Sequence, residues 1–229
     1  LVTKIEISQK NRLDQMVNNG VSLSIVDAKT AFKYLKQYPK LSVLSLLWKN
    51  WLFLMGTFPG TSLELKGDKT FLAHENSLYF AKTWKMYYPK TNFNWFNGNN
   101  LPDFTEGFPE EILIFTGPTK LKEMYSWLEQ FPGIHLLSLG PGLLKKLTRI
   151  NKWLIPQKIP ANTFPYQSES LAGIAWHPVL ITNSKLSKYY ASHLLKIIFS
   201  QPDKINPHVL FKNLKMHYNK KYFKKFSYH

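Results

Sequence analysis

Apolar and polar residues alternate along this chain with two periods, one typical of strands and the other typical of helices. The run VSLSIV predicts a strand, and in the segment AKTAFKYL after Asp27 the apolar residues recur at helical spacing. The repeated order of strand and helix predicts an α/β fold with a mainly parallel sheet covered by helices. Predicted strands lie at residues 3–7, 21–26, 41–48, 51–58, 111–115, 134–139 and 174–182, and predicted helices at 11–17, 28–35, 78–88, 120–131, 142–150 and 189–199.

The composition is that of a chain that packs a core. Of the 229 residues 44% are apolar, and no apolar run approaches the length that a membrane helix needs, about 20 residues. The first residues lack the regions of a secretory signal, so we expect any export signal to have been removed before residue 1. No cysteine, paired histidine spacing or catalytic motif occurs in the sequence, which therefore predicts no cofactor, no metal and no enzyme activity.

The charge of the chain is strongly basic. The chain has thirty Lys and Arg residues and fourteen Asp and Glu residues, which gives a formal net charge of +16. A positive charge of this size attracts anions. Only Arg12 and Arg149 are arginines, whereas proteins that read nucleic acid favour arginine forks, so we expect no specific nucleic-acid partner. The basic, aromatic tail 211–229 is typical either of a terminal helix packed through its rings or of a surface for anionic partners.

Four passages resemble one family in the same order along the chain. They are RLDQMVNNGVSLSIVDAKTAF, TSLELKGDKTFLAHENS, ILIFTGPTKLKEMYSWL and IPQKIPANTFPYQSESLAGIAWHPVLIT. The last is similar to the IPAGTYPGQ-like passage of TAXI family solute-binding proteins, the extracytoplasmic receptors of tripartite ATP-independent periplasmic (TRAP) transporters. The resemblance implies a two-lobed type II periplasmic-binding-protein fold.

In that fold the chain passes between the lobes twice. We expect residues 1–67 with 173–229 to form the first lobe and residues 68–172 the second, with crossings near residues 55–68 and 172–182. The family's glycine- and serine-rich opening turn does not occur in this sequence, so we expect an N-terminal strand–helix unit of the fold to precede residue 1. The family's glycine-rich GSGT-like turn is HENS here, at His74 to Ser77.

Two strand-to-helix junctions are candidate ligand contacts. Asp27 ends the VSLSIV strand, where it could accept a hydrogen bond from a ligand amine or cap the following helix. Thr30 adds a hydroxyl to the first turn of that helix. Asn76 and Ser77 occupy the turn after TFLAH, where they would hold a ligand carboxylate or cap the helix from Leu78.

Two further candidates follow from the second lobe. Thr116 and Gly117 end the IFTG strand, where glycine permits a ligand to approach the backbone. Thr163, Phe164 and Tyr166 would offer a hydroxyl, a ring wall and a phenol, although two prolines also explain this loop as a rigid turn.

The resemblance implies capture of a ligand without its conversion. The expected ligand is a small organic anion, an amino acid or a dicarboxylate such as glutamate, held by a monomeric periplasmic receptor that works with TRAP transporter membrane subunits. The alternative is a TAXI-like domain without transport binding, whose basic surface contacts a protein, a membrane or a nucleic acid. The HENS turn and the missing glycine-rich opening favour the alternative.

Overall fold

The computed structural model describes residues 6–7, 23–57, 62–63, 70–96, 113–117, 122–183 and 185–200. The chain forms two compact units: unit 1 comprises Leu1–Trp48 with His177–His229, and unit 2 comprises Lys49–Trp176. None of the helices among the described residues is long and apolar enough to cross a membrane.

Strands and helices alternate through both units. The strands are β1 Glu6–Ile7, β2 Leu23–Asp27, β3 Leu41–Leu46, β4 Asn50–Gly56, β5 Ser62–Leu63, β6 Thr70–His74, β7 Asn92–Phe96, β8 Leu113–Gly117, β9 His135–Leu136, β10 Ser138–Leu139, β11 Ile155–Ile159, β12 Leu171–Trp176 and β13 Pro178–Asn183. The helices are α1 Ala28–Gln37, α2 Leu78–Lys85, α3 Lys122–Gln130, α4 Pro141–Ile150 and α5 Lys188–Ser200.

Unit 1 is built on a sheet with the strand order β1-β2-β13-β3. Strand β1 runs parallel to β2, whereas β13 runs antiparallel to both β2 and β3. All six residues of β13 are buried, as expected of a central strand covered on both faces. Leu23, Ile25 and Leu180 pack with Ile198 of α5 in one hydrophobic cluster.

Unit 2 contains a larger sheet with the strand order β11-β12-β4-β8-β6-β7, and β9 also pairs with β4. Strands β6, β7 and β8 are parallel, and β4 is antiparallel to β8 and β12. The short strands β5 and β10 form a separate parallel pair. Pro156 is tolerated in β11 because this strand lies at the edge of the sheet.

The central strand β4 divides its side chains between two hydrophobic clusters. Leu52 and Leu54 belong to the cluster that includes residues of α2 and α4, whereas Trp51, Phe53 and Met55 belong to the cluster that includes residues of α3. Successive side chains of a strand point to opposite faces, so this alternation means that helices cover both faces of the sheet. The run WLFLM is continuously apolar for that reason.

The predicted α/β fold is confirmed, but the sheets are mixed and not mainly parallel, because β4 and β13 run antiparallel to their neighbours. Strands β4 and β13 are the first strands after the chain passes from one unit to the other. Each runs antiparallel to both of its neighbours in its sheet: β4 to β8 and β12, and β13 to β2 and β3. The units divide after Trp48 and after Trp176. The first division precedes the expected crossing near residues 55–68, whereas the second lies within the expected crossing near residues 172–182. Strand β4 pairs with β8 and β12, which is why it belongs to unit 2.

The predicted strand 174–182 is in fact two strands. Its first part ends β12 in unit 2, its second part forms β13 in unit 1, and His177 separates the two. The predicted helix at residues 11–17 and the basic tail at residues 211–229 lie outside the described residues.

Candidate functional site

In unit 1, Asp27 and Thr30 lie together at the start of α1. The Thr30 backbone N–H donates to Asp27 Oδ1 over 2.8 Å, and the Thr30 hydroxyl donates to Asp27 Oδ2 over 2.5 Å. Asp27 is the N-cap residue of α1, and both side chains are half-buried. Each carboxylate oxygen of Asp27 therefore already accepts a hydrogen bond within the turn. This is the arrangement expected if Asp27 caps the following helix. A ligand contact at these residues stays a prediction.

In unit 2, Ser77 ends a single 3-10 turn, Glu75–Ser77, that follows β6. Ser77 is fully buried, and its hydroxyl donates to the carbonyl oxygen of Ile114 in β8 over 2.9 Å. The hydroxyl thus links β8 to the turn and is directed into unit 2. The backbone of Asn76 lies in the same turn, but its side chain is outside the described residues.

Thr116 and Gly117 end β8 at one edge of the unit 2 sheet. Their register partners in β4 are Leu52 and Trp51, and Gly117 is buried. Because β6 and β8 are parallel, the turn at Ser77 and the residues that end β8 lie at the same sheet edge. The structure therefore brings these two predicted pairs together, although the side chain of Thr116 lies outside the described residues.

The predicted loop after β11 is held rigidly by its own hydrogen bonds. Gln167 donates from Nε2 to the carbonyl oxygens of Pro160 and Glu169, over 2.8 Å in each case. The backbone N–H of Phe164 donates to Gln167 Oε1 over 3.2 Å. The Thr163 hydroxyl donates to the Pro160 carbonyl oxygen over 2.6 Å. These hydrogen bonds are those expected if the loop is a rigid turn, the alternative to a ligand contact.

Two aromatic residues of this loop have opposite surroundings. Phe164 is buried, its ring 5.3 Å from that of Phe53 and 5.2 Å from that of Tyr125, so it anchors the loop on the sheet. The Tyr125 hydroxyl also donates to the carbonyl oxygen of Thr163. Tyr166 is 68% exposed and has a positive φ of 59°. Of the predicted loop residues, Tyr166 is the one that presents an aromatic side chain to solvent.

Lys49 is a candidate that sequence reasoning missed. It directly precedes β4, and its ammonium nitrogen lies 3.2 Å from Gln157 Oε1 and 5.4 Å from the centre of the Trp51 ring. Trp51 pairs with Gly117, which places Lys49 at the sheet edge where β8 ends. One signal was available: Lys49 is the sole charged residue between Lys40 and Glu64.

The electrostatic environment of Lys49 is unusual for a lysine. Its side chain is half-buried, and burial lowers the pKa of Lys49 below the ordinary lysine value. Among the described residues, no carboxylate lies within ion-pair distance of its ammonium group. The cation is therefore only partly solvated and has an amide oxygen and a tryptophan ring, but no opposite charge, beside it.

The group of Lys49, Gln157 and Trp51 has the chemistry of an anion contact. An ammonium group has three N–H donors, and one of them is used by Gln157. Since Gln157 accepts through Oε1, its amide N–H₂ remains a donor. A carboxylate could accept from both side chains.

Among the described residues, no group of three or more His, Cys, Asp and Glu could hold a metal ion.

No known protein-family profile and no curated protein sequence matches this chain. Three solved structures resemble it weakly: a cysteine-binding protein from Campylobacter jejuni, a solute receptor for L-cysteine from Neisseria gonorrhoeae and an ABC transporter from Parabacteroides distasonis. Their identities to this chain are 14%, 13% and 10%, and their TM-scores are 0.41, 0.39 and 0.43.

The matches cover 88%, 88% and 97% of this chain, and 66%, 65% and 72% of the three structures. The chain thus spans just under two thirds of the length of the first two. Likeness at this level carries no ligand, partner or location over to this chain.

Proposed function

We propose that this protein is an extracytoplasmic solute-binding receptor that captures a small organic anion through Lys49 of unit 2. The observation that carries the proposal is the Lys49 ammonium group, which is half-buried at the sheet edge without an acidic partner among the described residues. A cation in this position costs free energy unless an anion neutralises it. A ligand carboxylate would supply the missing charge.

The surroundings of Lys49 favour a small ligand over a simple ion. Gln157 offers an amide N–H beside the ammonium group, and the Trp51 ring supplies an apolar wall. A carboxylate with a short carbon chain matches this combination of donors and apolar surface.

The finer parts of the proposal rest on the sequence resemblance. By that resemblance the ligand is an amino acid or a dicarboxylate, the location is the periplasm, and the partners are TRAP transporter membrane subunits. The ligand contacts predicted from the sequence belong to the same proposal. In unit 1 they are Asp27 and Thr30. In unit 2 they are Asn76, Ser77, Thr116, Gly117, Thr163, Phe164 and Tyr166. The role is capture without chemical conversion.

Thermal unfolding in the presence of carboxylates tests the proposal. The probes are glutamate, succinate and the uncharged ester dimethyl succinate, each added at low salt. A carboxylate present at a hundredfold excess over its dissociation constant should stabilise the protein by about 2.7 kcal/mol. The ester should not, because it lacks the charge that pairs with Lys49.

The variants Lys49→Met and Lys158→Met form a matched pair. Lys158 is an exposed lysine of β11, next to Gln157, so its loss changes the net charge equally. Loss of a charged hydrogen bond of about 1.5–3 kcal/mol should weaken carboxylate binding roughly 10- to 100-fold in Lys49→Met and leave Lys158→Met unchanged. The proposal is wrong if no carboxylate shifts the unfolding temperature, or if Lys49→Met binds as tightly as the wild type.

A further inference from the structure

Helix α2 of unit 2 carries a basic stripe along its exposed side. Leu78, Lys82, Lys85 and Met86 recur at spacings of three and four residues, which places them on one face of the helix. All four are exposed, Leu78 at 48% and Met86 at 61%. The opposite face holds Phe80, Ala81 and Trp84 in the hydrophobic core.

Helix α4 carries a second stripe of the same kind. Lys145, Lys146 and Arg149 are exposed and share one side of the helix, whereas Leu143 and Leu147 are buried on the other. Neither α2 nor α4 contains an aspartate or a glutamate. The positive charge on these helices is therefore not offset by acidic residues of the helices themselves.

Direct contacts join the two helices into one surface. Lys146 Nζ lies 5.4 Å from the centre of the Tyr87 ring, just after α2, and Asn151 Nδ2 donates to Thr83 Oγ1 over 3.1 Å. Trp84 of α2 and Leu147 of α4 belong to the same hydrophobic cluster. We call the exposed residues of this surface the α2–α4 face: Leu78, Lys82, Lys85, Met86, Lys145, Lys146 and Arg149.

We propose that the α2–α4 face docks on an anionic lipid surface. Five cationic side chains on two packed helices, with no acidic residue among them, give a face that complements a layer of negative headgroups. Each lysine or arginine near such a surface contributes about 1 kcal/mol, or about fivefold in binding. Leu78 and Met86 add apolar side chains that can reach the headgroup region.

The chemistry of the face favours lipid over nucleic acid. Four of the five cations are lysines, which act as point charges, and a single arginine offers the planar fork used for phosphate and base contacts. Two rings lie beside these cations, Tyr87 with Lys146 and Phe93 with Lys85, and both are only half-exposed and covered by a lysine. The α2–α4 face itself therefore presents no freely exposed ring on which a base could stack. Docking on lipid is independent of the proposed capture of an anion.

Vesicle co-sedimentation of the whole chain tests the inference. The vesicles contain phosphatidylcholine alone or with about 30% phosphatidylglycerol, and binding should require the anionic lipid and weaken as salt rises. The variant Lys82→Glu, Lys85→Glu, Lys145→Glu reverses three charges of the α2–α4 face. Its binding should fall by at least about a hundredfold.

A second triple variant separates this face from net charge. Lys29→Glu, Lys33→Glu, Lys36→Glu reverses three exposed lysines of α1 in unit 1. The two variants are matched in another respect, since each loses one lysine–phenylalanine contact, Lys85 with Phe93 and Lys36 with Phe32. The α1 variant should lose less than about tenfold, because its lysines lie outside the docking face.

Three outcomes would overturn the inference. The first is equal loss in both triple variants, which would assign binding to net charge. The second is no binding of the wild type to anionic vesicles. The third is binding to single-stranded DNA that the face variant loses while vesicle binding persists. If circular dichroism shows that the glutamate variant does not fold, the corresponding Lys→Gln triple replaces it, with at least about a tenfold loss expected.

Discussion

The Nδ1 atom of His177 lies 3.1 Å from the carbonyl oxygen of Leu47, and the same atom lies 3.1 Å from the carbonyl oxygen of Trp48. Because a carbonyl oxygen only accepts, Nδ1 carries the proton. Leu47 and Trp48 end the first segment of unit 1, and His177 begins its second segment. The imidazole therefore ties together the two segments of unit 1 at the points where the chain leaves and returns. The bond from Leu47 N–H to the Pro178 carbonyl oxygen, 2.9 Å long, supports the same junction.

The variant His177→Leu should destabilise unit 1. The ring is buried, so its removal leaves the carbonyl oxygens of Leu47 and Trp48 without this donor. An unsatisfied buried acceptor costs about 1–3 kcal/mol, and we expect a loss in that range in the free energy of unfolding measured with urea.

Two controls refine this result. His177→Asn places an amide N–H close to the position of Nδ1 and should recover at least half of the loss. His135→Leu, at a half-buried histidine in β9 of unit 2, should change the free energy of unfolding by less than about 1 kcal/mol. An unchanged stability in His177→Leu would show that the two carbonyl contacts contribute nothing.

Stability should depend on pH through Lys49. Burial lowers its pKa in the folded protein, so between that value and the ordinary lysine pKa the unfolded chain binds a proton that the folded protein has lost. The free energy of unfolding from this group therefore rises as pH increases through that window. At lower pH both states are protonated, and the cost of burying the charge is fully present.

The measurement compares urea unfolding of the wild type and Lys49→Met from pH 7 to pH 10. Lys49→Met should be more stable than the wild type at neutral pH, and the difference should shrink as pH rises. Lys158→Met, at an exposed position of β11, should follow the wild type throughout. A constant difference between Lys49→Met and the wild type would contradict the assigned pKa direction.

The local parts of this fold could be predicted from the sequence. The Asp27 cap followed from a strand that stops at an aspartate before a helical pattern, and hydrogen bonds within three residues determine it. The helix at residues 120–131 corresponds to α3, because its apolar residues recur at helical spacing and Met124, Trp127 and Leu128 are buried. Such features depend on neighbours in the sequence.

The parts that could not be predicted depend on residues far apart in the chain. The apolar run of β4 fits a strand in either unit, and its pairing with β8 and β12 decides that it belongs to unit 2. Lys49 became a candidate only when Gln157, more than a hundred positions later, was found beside it. The sequence left open whether the loop at Thr163 to Tyr166 contacts a ligand or is only a rigid turn, because it does not show which ring, Phe164 or Tyr166, is buried.

The variants Asp27→Ala and Asp27→Asn separate capping from ligand contact. Asparagine caps helices as well as aspartate does, so Asp27→Asn should keep most of the stability, whereas Asp27→Ala should lose about 0.5–2 kcal/mol. Thermal unfolding measures both. If Asp27 contacts a ligand amine, Asp27→Asn should also weaken the binding of glutamate but not that of succinate, which has no amine. Equal binding of both ligands by Asp27→Asn and the wild type would leave Asp27 as a cap.

The last prediction concerns Tyr166, whose backbone is in the left-handed region at φ 59° while its side chain is 68% exposed. This conformation costs an ordinary residue about 1–2 kcal/mol, and asparagine less. Asn162 shows the contrast, since it adopts φ 58° in the same loop and its N–H donates to the Gln167 carbonyl oxygen. Tyr166→Asn should therefore raise the free energy of unfolding by about 0.5–1 kcal/mol, whereas Asn162→Ala should lower it by about 1 kcal/mol.

The strained backbone and exposed ring of Tyr166 fit the predicted ligand contact, and binding measurements on variants of Tyr166 test it. Strain of this kind persists at binding sites, where the side chain must be held in one direction. If the predicted ligand contact at Tyr166 is correct, Tyr166→Asn should be more stable and bind carboxylates less tightly, while Tyr166→Phe, which keeps the ring, should isolate the phenol. Greater stability with unchanged carboxylate affinity in Tyr166→Asn would remove Tyr166 from the site, and lower stability would show that the ring packs in the loop.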